Sequence, residues 1–184
     1  MKLMTLAAVV FFGVSSAIAT PVDLSKSEIK WLGTKVTGKH FGKIKLKSGD
    51  VTLKEGKLAG GTFVADINSV TVDDLEGEWA TKFLNHMKHE DFFEVGKYPT
   101  ATLKIKSVKG KTITADLTIK GKTNEVKFDY TKKDNTYSGK MTFDRTKFNM
   151  IYGSGDFFKN LGDKVIHNEV KVDFVFVVKP EAKK

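Results

Sequence analysis

The sequence predicts an all-β fold in which eight antiparallel strands close into a barrel and one helix interrupts the run of strands. Apolar and polar residues mostly alternate from Lys26 onward, which is the period of a half-buried strand. Turn residues divide this pattern into runs of about ten residues. The chain has 184 residues, 40% of them hydrophobic, so it can bury one core without disulfide or metal staples.

The first element in chain order is an N-terminal leader. Lys2 precedes an apolar run over residues 3–14, and residues 15–19 supply small residues at the two positions that a signal peptidase reads. That apolar run is short for a membrane span. We therefore expect a signal peptide over residues 1–19, cleaved after Ala19, and one mature domain over residues 20–184 that is secreted to the periplasm.

Eight runs then alternate with strand periodicity, and the tight turns between many of them are typical of antiparallel hairpins. In the last run the even-numbered residues are predicted to face inward. Val175 and Val177 break the alternation there, which predicts that the far end is covered on both faces. A two-layer sandwich is the alternative to closure. The runs cover residues 29–36, 44–53, 57–67, 102–108, 112–120, 125–131, 137–146 and 166–178.

One segment between these strands has helical spacing. Its apolar residues recur every three or four positions from Leu75 to Met87. Asp73 and Asp74 precede the segment, and aspartate is a favoured capping residue. We expect the two carboxylates to cap this helix.

Composition excludes several functions. The formal net charge is +9, but Arg145 is the single arginine, and base readout and bidentate phosphate contacts favour arginine, so a nucleic-acid partner is not expected. The absence of cysteine excludes thiol nucleophiles and disulfide scaffolds. The lysines are expected on solvated strand faces; a weak contact with an anionic membrane surface is the alternative.

Several short motifs occur in a characteristic order. They are SEIKW (27–31), VTGKHFG (36–42), LAGGTF (58–63), FLNHMK (83–88), DFF (91–93), KYPTA (97–101), ADLTIKGKT (115–123) and FDR (143–145). With these motifs the chain resembles the YceI-like family of periplasmic, polyisoprenoid-binding barrels. The resemblance implies an eight-stranded, lipocalin-like barrel with a helical insertion closing one end and an interior that holds a long lipid-like chain.

The inward stripe is the predicted lipid-binding surface. A packed core is the alternative, because alternation shows which face is dry and not whether it is hollow. Three aromatic residues of the helical insertion either cover the mouth of the barrel or plug it. The stripe comprises Trp31, Phe63, Leu103, Ile105, Leu117, Ile119, Phe128, Tyr130, Met141, Phe143, Phe174 and Phe176, and the insertion adds Phe83, Phe92 and Phe93.

Arg145 follows Phe143 by two residues and is therefore predicted to point inward. A buried guanidinium needs a partner, so we expect either an ion pair with a carboxylate or a role as anchor for an anionic lipid headgroup. His86 and His89 lie beside Glu90 and Asp91 and could bind a metal, but no third ligand is fixed, and surface histidines are the simpler interpretation.

No catalytic constellation is evident, so no catalytic residue, metal or cofactor is predicted. The sequence favours a non-enzymatic carrier or sequestering protein. The expected ligand is an isoprenoid quinone, a polyprenyl phosphate or a fatty-acid-like lipid. The alternatives are a metal-dependent hydrolase that uses the His86/His89 region and a solid-cored structural module. Association into a homodimer is left open.

Overall fold

A computed structural model describes residues 18–180, so the predicted signal peptide lies almost entirely outside the described residues. Short 3₁₀ turns occupy Leu24–Lys26, Ile67–Ser69, Arg145–Phe148 and Gly162–Lys164. Over the described range, no helix combines the length and apolar character that a membrane span requires. The main elements are β1 (Ile18–Pro21), β2 (Glu28–Lys35), β3 (Gly38–Lys54), β4 (Lys57–Asp66), α1 (Gly77–Lys88), β5 (Thr100–Lys109), β6 (Thr112–Ile119), β7 (Lys122–Lys133), β8 (Thr136–Asp144) and β9 (Ile166–Val177).

The strands β2 to β9 form a closed antiparallel barrel. The order is β3-β2-β9-β8-β7-β6-β5-β4, and β4 pairs again with β3. The 17-residue strand β3 closes the ring, because residues 38–44 pair with β2 and residues 45–54 pair with β4. The predicted barrel is confirmed, and the sandwich alternative is wrong.

The strand β1 was not predicted. It pairs with residues 50–53 of β3, on the edge that β2 leaves uncovered. The predicted cleavage point after Ala19 falls inside this strand, so a chain cleaved there would keep only Thr20 and Pro21 of it. Four residues are too few to show a period, so no pattern in this segment predicts a strand.

The alternation along β9 is confirmed. Val172 and Phe176 are buried, whereas Lys171 is exposed. Val175 and Val177 are both half-buried, and the carbonyl of Val177 accepts a hydrogen bond of 2.7 Å from the N–H of Asp23. The segment before β2 therefore hydrogen-bonds to this end of β9, where both valines are partly covered, as the broken alternation predicted.

The predicted caps of α1 are wrong. The helix begins at Gly77, and the residue at its N-cap, Glu76, makes no side-chain capping bond. Asp73 accepts a hydrogen bond from Thr71 Oγ1 (2.9 Å) instead. The Asp74 carboxylate binds β3, where it accepts from the N–H of Phe41 at 3.0 Å and contacts His40 Nδ1 at 2.9 Å.

Residues 67–74, which we call the strap, run beside β3. Asp73 and Asp74 belong to the strap, which is why their carboxylates do not cap α1. The N–H of Thr71 donates to the carbonyl of Lys43 (2.9 Å), and Trp31 Nε1 donates to the carbonyl of Thr71 (3.1 Å). At Gly42 a Cβ atom would lie 2.1 Å from that same carbonyl oxygen. The absence of a side chain at Gly42 is therefore what lets the strap approach β3.

The two ends of the barrel differ in their connections. At the helical end lie the 67–99 connection with α1, the 145–165 connection between β8 and β9, and the short turns after β2 and β6. At the opposite end, the turn end, β3–β4, β5–β6 and β7–β8 are joined by two-residue turns. Val22 and Val178 form a bridge beside these turns, so both ends of the described part of the chain lie at the turn end.

We expect Gly42→Ala to destabilise the protein by at least about 2 kcal/mol, because the new methyl group overlaps the strap backbone. Gly38→Ala in the same strand is the matched control, since the nearest atom to its Cβ is Lys35 Cε at 4.0 Å. The control should change the free energy of unfolding by less than about 0.5 kcal/mol. Urea denaturation measures both, and equal effects would contradict the close approach.

Candidate functional site

A cavity of about 400 Å³ lies inside the barrel and reaches its helical end. Its wall is almost entirely apolar. Every residue of the predicted lipid-binding set lines it except Tyr130. The ring of Tyr130 packs 5.8 Å from that of Tyr137, which is fully buried outside the cavity. The solid-core alternative is therefore correct near the turn end and wrong for the helical half.

The prediction missed part of the cavity wall. Some of these residues are inward positions of predicted strands, where the alternation already carried the signal. Others, such as Met150 and Tyr152, belong to the irregular β8–β9 connection, which has no period to read. The missed apolar and aromatic residues are Ile29, Ile44, Leu46, Ala65, Ile67, Val70, Met87, Ala101, Ile113, Met150, Tyr152, Ile166, Val170, Val172 and Val175.

Aromatic side chains cover the cavity at the helical end. The ring of Phe83 on α1 stacks on that of Trp31, with 6.1 Å between ring centroids and 6° between ring planes. Phe92 and Phe93 are each 9% exposed and line the cavity from the segment after α1. Because open space remains beneath these rings, the insertion covers the interior and does not plug it.

Polar side chains surround the opening of the cavity. Tyr152 is 43% exposed and His86 is partly exposed, yet both line the cavity, so the interior reaches solvent between α1 and the β8–β9 connection. Their rings meet edge to face, with 4.5 Å between centroids. His40 and His167 also line the cavity. These four residues, His40, His86, Tyr152 and His167, form what we call the rim.

Each histidine of the rim is held by a neighbouring polar group. His167 Nδ1 lies 2.7 Å from Thr34 Oγ1, and His40 Nδ1 is bound by Asp74. Burial raises the pKa of Asp74, but the hydrogen bonds from Phe41 and His40 outweigh that effect and leave the pKa below its usual value. The Asp74 carboxylate is therefore ionised at neutral pH and orients the His40 ring.

Arg145 lies just beyond the end of β8 and lines the cavity while remaining only 2% exposed. Nε donates to the carbonyl of His167 (3.1 Å), Nη2 donates to that of Ile166 (3.0 Å), and Nη1 donates to that of Met150. No carboxylate among residues 18–180 forms an ion pair with it, so the predicted ion pair is wrong.

Backbone carbonyls therefore stabilise the guanidinium of Arg145. Burial lowers its pKa from the ordinary arginine value, and the nearby charge of Asp144 partly opposes this. The three hydrogen bonds tie the start of the β8–β9 connection to the start of β9, which fixes one side of the opening. A carbonyl-rich environment could not be read from the sequence, because all three acceptors are main-chain atoms.

Lys120 is a second buried cation that the sequence analysis missed. It is 8% exposed, and its Nζ donates to the carbonyls of Glu90 and Asn149, the latter at 3.3 Å. Glu90 follows α1 and Asn149 belongs to the β8–β9 connection. Lys120 therefore joins the two connections that enclose the opening.

The histidines after Phe83 do not assemble a metal site. His86 Nε2 and His89 Nδ1 both lie 3.3 Å from Asp91 Oδ2. Within the described chain, no group of three or more His, Asp or Glu side chains is placed to hold a metal ion.

Known proteins share this fold. A family model described as "YceI-like domain" matches residues 21–178. A search of curated proteins found no match. Among solved structures, BcnA from Burkholderia cenocepacia is similar, with a TM-score of 0.67 and 24% identity over 86% of this chain and 99% of that one.

Two further structures share the fold. A polyisoprenoid-binding domain from Saccharophagus degradans, implicated in plant cell wall breakdown, has a TM-score of 0.62 and 16% identity over 89% of this chain and 99% of its own. A mutant CJ YCEI protein with a monobromobimane guest has a TM-score of 0.52 and 15% identity over 98% of this chain and 100% of its own.

We expect Arg145→Met to destabilise the protein by about 2–4 kcal/mol, because three buried carbonyls lose their donors. Lys171→Met removes a positive charge from an exposed position of β9 and should be nearly neutral. Thermal and urea denaturation compare the two. An Arg145→Met protein as stable as the parent would show that these hydrogen bonds do not hold the opening together.

Proposed function

The chain belongs to the YceI-like family, and we propose that it is a non-enzymatic protein that binds one isoprenoid or other long-chain lipid inside the barrel. The observation that carries this proposal is the apolar cavity of about 400 Å³, open at the helical end. Its volume falls in the range typical of ligand-binding pockets. The similar domain from Saccharophagus degradans, which is described as polyisoprenoid-binding, supports the ligand class.

The energetics of burial suit this role. Removing a methylene group from water contributes about 0.8 kcal/mol, so ten buried carbons contribute about 8 kcal/mol before ordering costs. That free energy corresponds to roughly micromolar affinity. A hydrocarbon chain therefore needs few polar contacts in the cavity, which agrees with its nearly continuous apolar wall.

We place the polar head of the ligand at the rim. His40, His86 and His167 line the cavity there, and Arg145 lines its wall nearby. A guanidinium has five N–H donors, and three nitrogens of Arg145 each donate to one carbonyl. The proposed role of Arg145 as a headgroup anchor uses the two remaining donors. An isoprenoid quinone or a polyprenyl phosphate would present acceptor oxygens to this rim.

The proposed compartment is the periplasm. The predicted signal peptide supports this, since residues 1–19 combine a lysine, an apolar run and a small-residue cleavage site. In that compartment the protein would carry a lipid or sequester it. No step of either role requires a chemical reaction.

The helical end also has the features of a membrane-contacting surface. Large apolar side chains that are exposed in the described part of the chain concentrate there, and only Leu24 lies elsewhere. Trp79 is 72% exposed, and Lys82 Nζ lies 5.4 Å from its ring centroid. Tryptophan beside lysine is common where proteins meet the membrane interface. The residues at this end are Val36, Phe41, Trp79, Tyr152, Phe157 and Phe158.

We therefore propose that this end contacts an anionic membrane weakly, which would place the opening against the source of the lipid. A second copy of the chain on the same surface is the alternative. The position of the opening favours the membrane, because a homodimer through this end would cover the route into the cavity.

Native mass spectrometry of the purified protein should show one lipid per chain, or one added prenyl alcohol per chain if the protein is isolated empty. Ala101→Trp should reduce binding at least tenfold, because Ala101 lines the cavity and the indole would fill it. Lys104→Trp adds the same group to the exposed face of the same strand and should bind normally. A protein that is always empty and also rejects prenyl lipids would defeat the proposal.

In vesicle sedimentation, more protein should bind to anionic than to zwitterionic vesicles, and added salt should weaken that binding. Trp79→Ser should lower it several-fold. Leu24→Ser removes an exposed apolar side chain away from the helical end and is the matched control. Equal binding by the two variants, or binding that salt does not change, would contradict contact through this end.

A further inference from the structure

The cavity ends on a layer of aromatic rings. Phe176 on β9 and Phe63 on β4 meet across the lumen, with 4.7 Å between ring centroids. Phe174 lies 6.1 Å from Phe176 with nearly parallel planes, and Phe128 lies 5.4 Å from Phe174. All four residues line the cavity. We call Phe63, Phe128, Phe174 and Phe176 the aromatic floor.

Beneath the aromatic floor the barrel is solid. The ring of Tyr137 stacks on that of Phe176 at 4.8 Å with 8° between planes, and Tyr137 is only 1% exposed. Val22, Val51 and Val178 are also buried and do not line the cavity. Phe63 and Phe174 are only partly buried although they face inward and contact this cavity. The boundary between open and filled space therefore runs along these rings.

Two glycines fix the positions of the rings. Gly139 pairs with Phe174 across strands β8 and β9, and a Cβ at Gly139 would lie 2.6 Å from Phe174 Cζ. Gly49 pairs with Phe63, where a Cβ would lie 3.2 Å from Phe63 Cδ1. Each ring thus occupies the space over a glycine in the neighbouring strand. The aromatic floor is anchored to the backbone and cannot retreat toward the turn end, where the core is close-packed.

We propose that the aromatic floor sets the maximum length of the hydrocarbon chain that this protein binds. This inference rests on the proposed function, in which a chain enters at the helical end. Each added methylene gains burial until the terminal methyl group reaches the rings. A longer chain must displace a packed ring or leave carbons in water, so affinity stops rising at that length.

The test uses saturated fatty acids that increase by two carbons at a time and displace a fluorescent fatty acid from the protein. Affinity should rise about fourfold per added methylene and then level off or fall at a definite length. Phe176→Leu and Phe63→Leu should each move that break point to a longer chain. In both variants the first fatty acid beyond the parent's break point should bind at least tenfold more tightly than it binds the parent.

Phe148→Leu is the matched control, because Phe148 is a buried phenylalanine, 1% exposed, that does not line the cavity. It should destabilise the protein comparably and leave the break point unchanged. Gly49→Ala gives a change in the opposite direction, since the methyl group would press Phe63 toward the lumen and move the break point to a shorter chain.

A break point that stays at the parent's length in both Phe176→Leu and Phe63→Leu would overturn this inference and leave the proposed function intact. Affinity that keeps rising with chain length in the parent would do the same. A parent protein that binds no fatty acid and no prenyl alcohol of any length would overturn the proposed function and this inference together.

Discussion

The structure depends on the division of β3 between two partners. One half of this strand pairs with β2 and the other half with β4, and this double pairing closes the sheet into a ring. Closure leaves an interior, whereas two stacked sheets would interdigitate their inner side chains and leave none. The strap depends on the same strand, because it pairs with β3 where β4 ends. Gly42 makes that pairing close enough for Trp31 to bind the strap backbone.

An eight-stranded barrel has an interior that side chains can just fill, so residue size decides where space remains. Toward the turn end, stacked aromatic rings and buried valines fill the lumen. Nearer the helical end, the wall includes Ala65 and Ala101, whose small side chains leave room. The cavity therefore lies toward the helical end, and most of its polar lining residues, including His40, His86, Arg145 and His167, are near the opening. This polarity suits an amphipathic ligand whose chain lies inside and whose head stays at the rim.

The opening is held by interactions that differ in kind from those of the barrel. Lys120 and Arg145 are buried cations: Lys120 donates to one main-chain carbonyl in each of the two long connections, and Arg145 joins the β8–β9 connection to the start of β9. Such bonds fix irregular segments that have no strand partner. The geometry of the rim thus depends on two side chains outside the apolar pattern.

Alternation along the chain determined the strand class, the antiparallel hairpins and many of the inward residues, because a period of two is a local property of a strand. Ordered motifs determined the family. Tertiary structure alone decided that Asp74 binds β3 and not the helix, that Arg145 binds carbonyls and not a carboxylate, and that Tyr130 packs below the cavity. It also decided where the barrel is hollow. These outcomes depend on contacts between backbone atoms and rings of segments that are distant in sequence, and no local pattern of residues encodes such contacts.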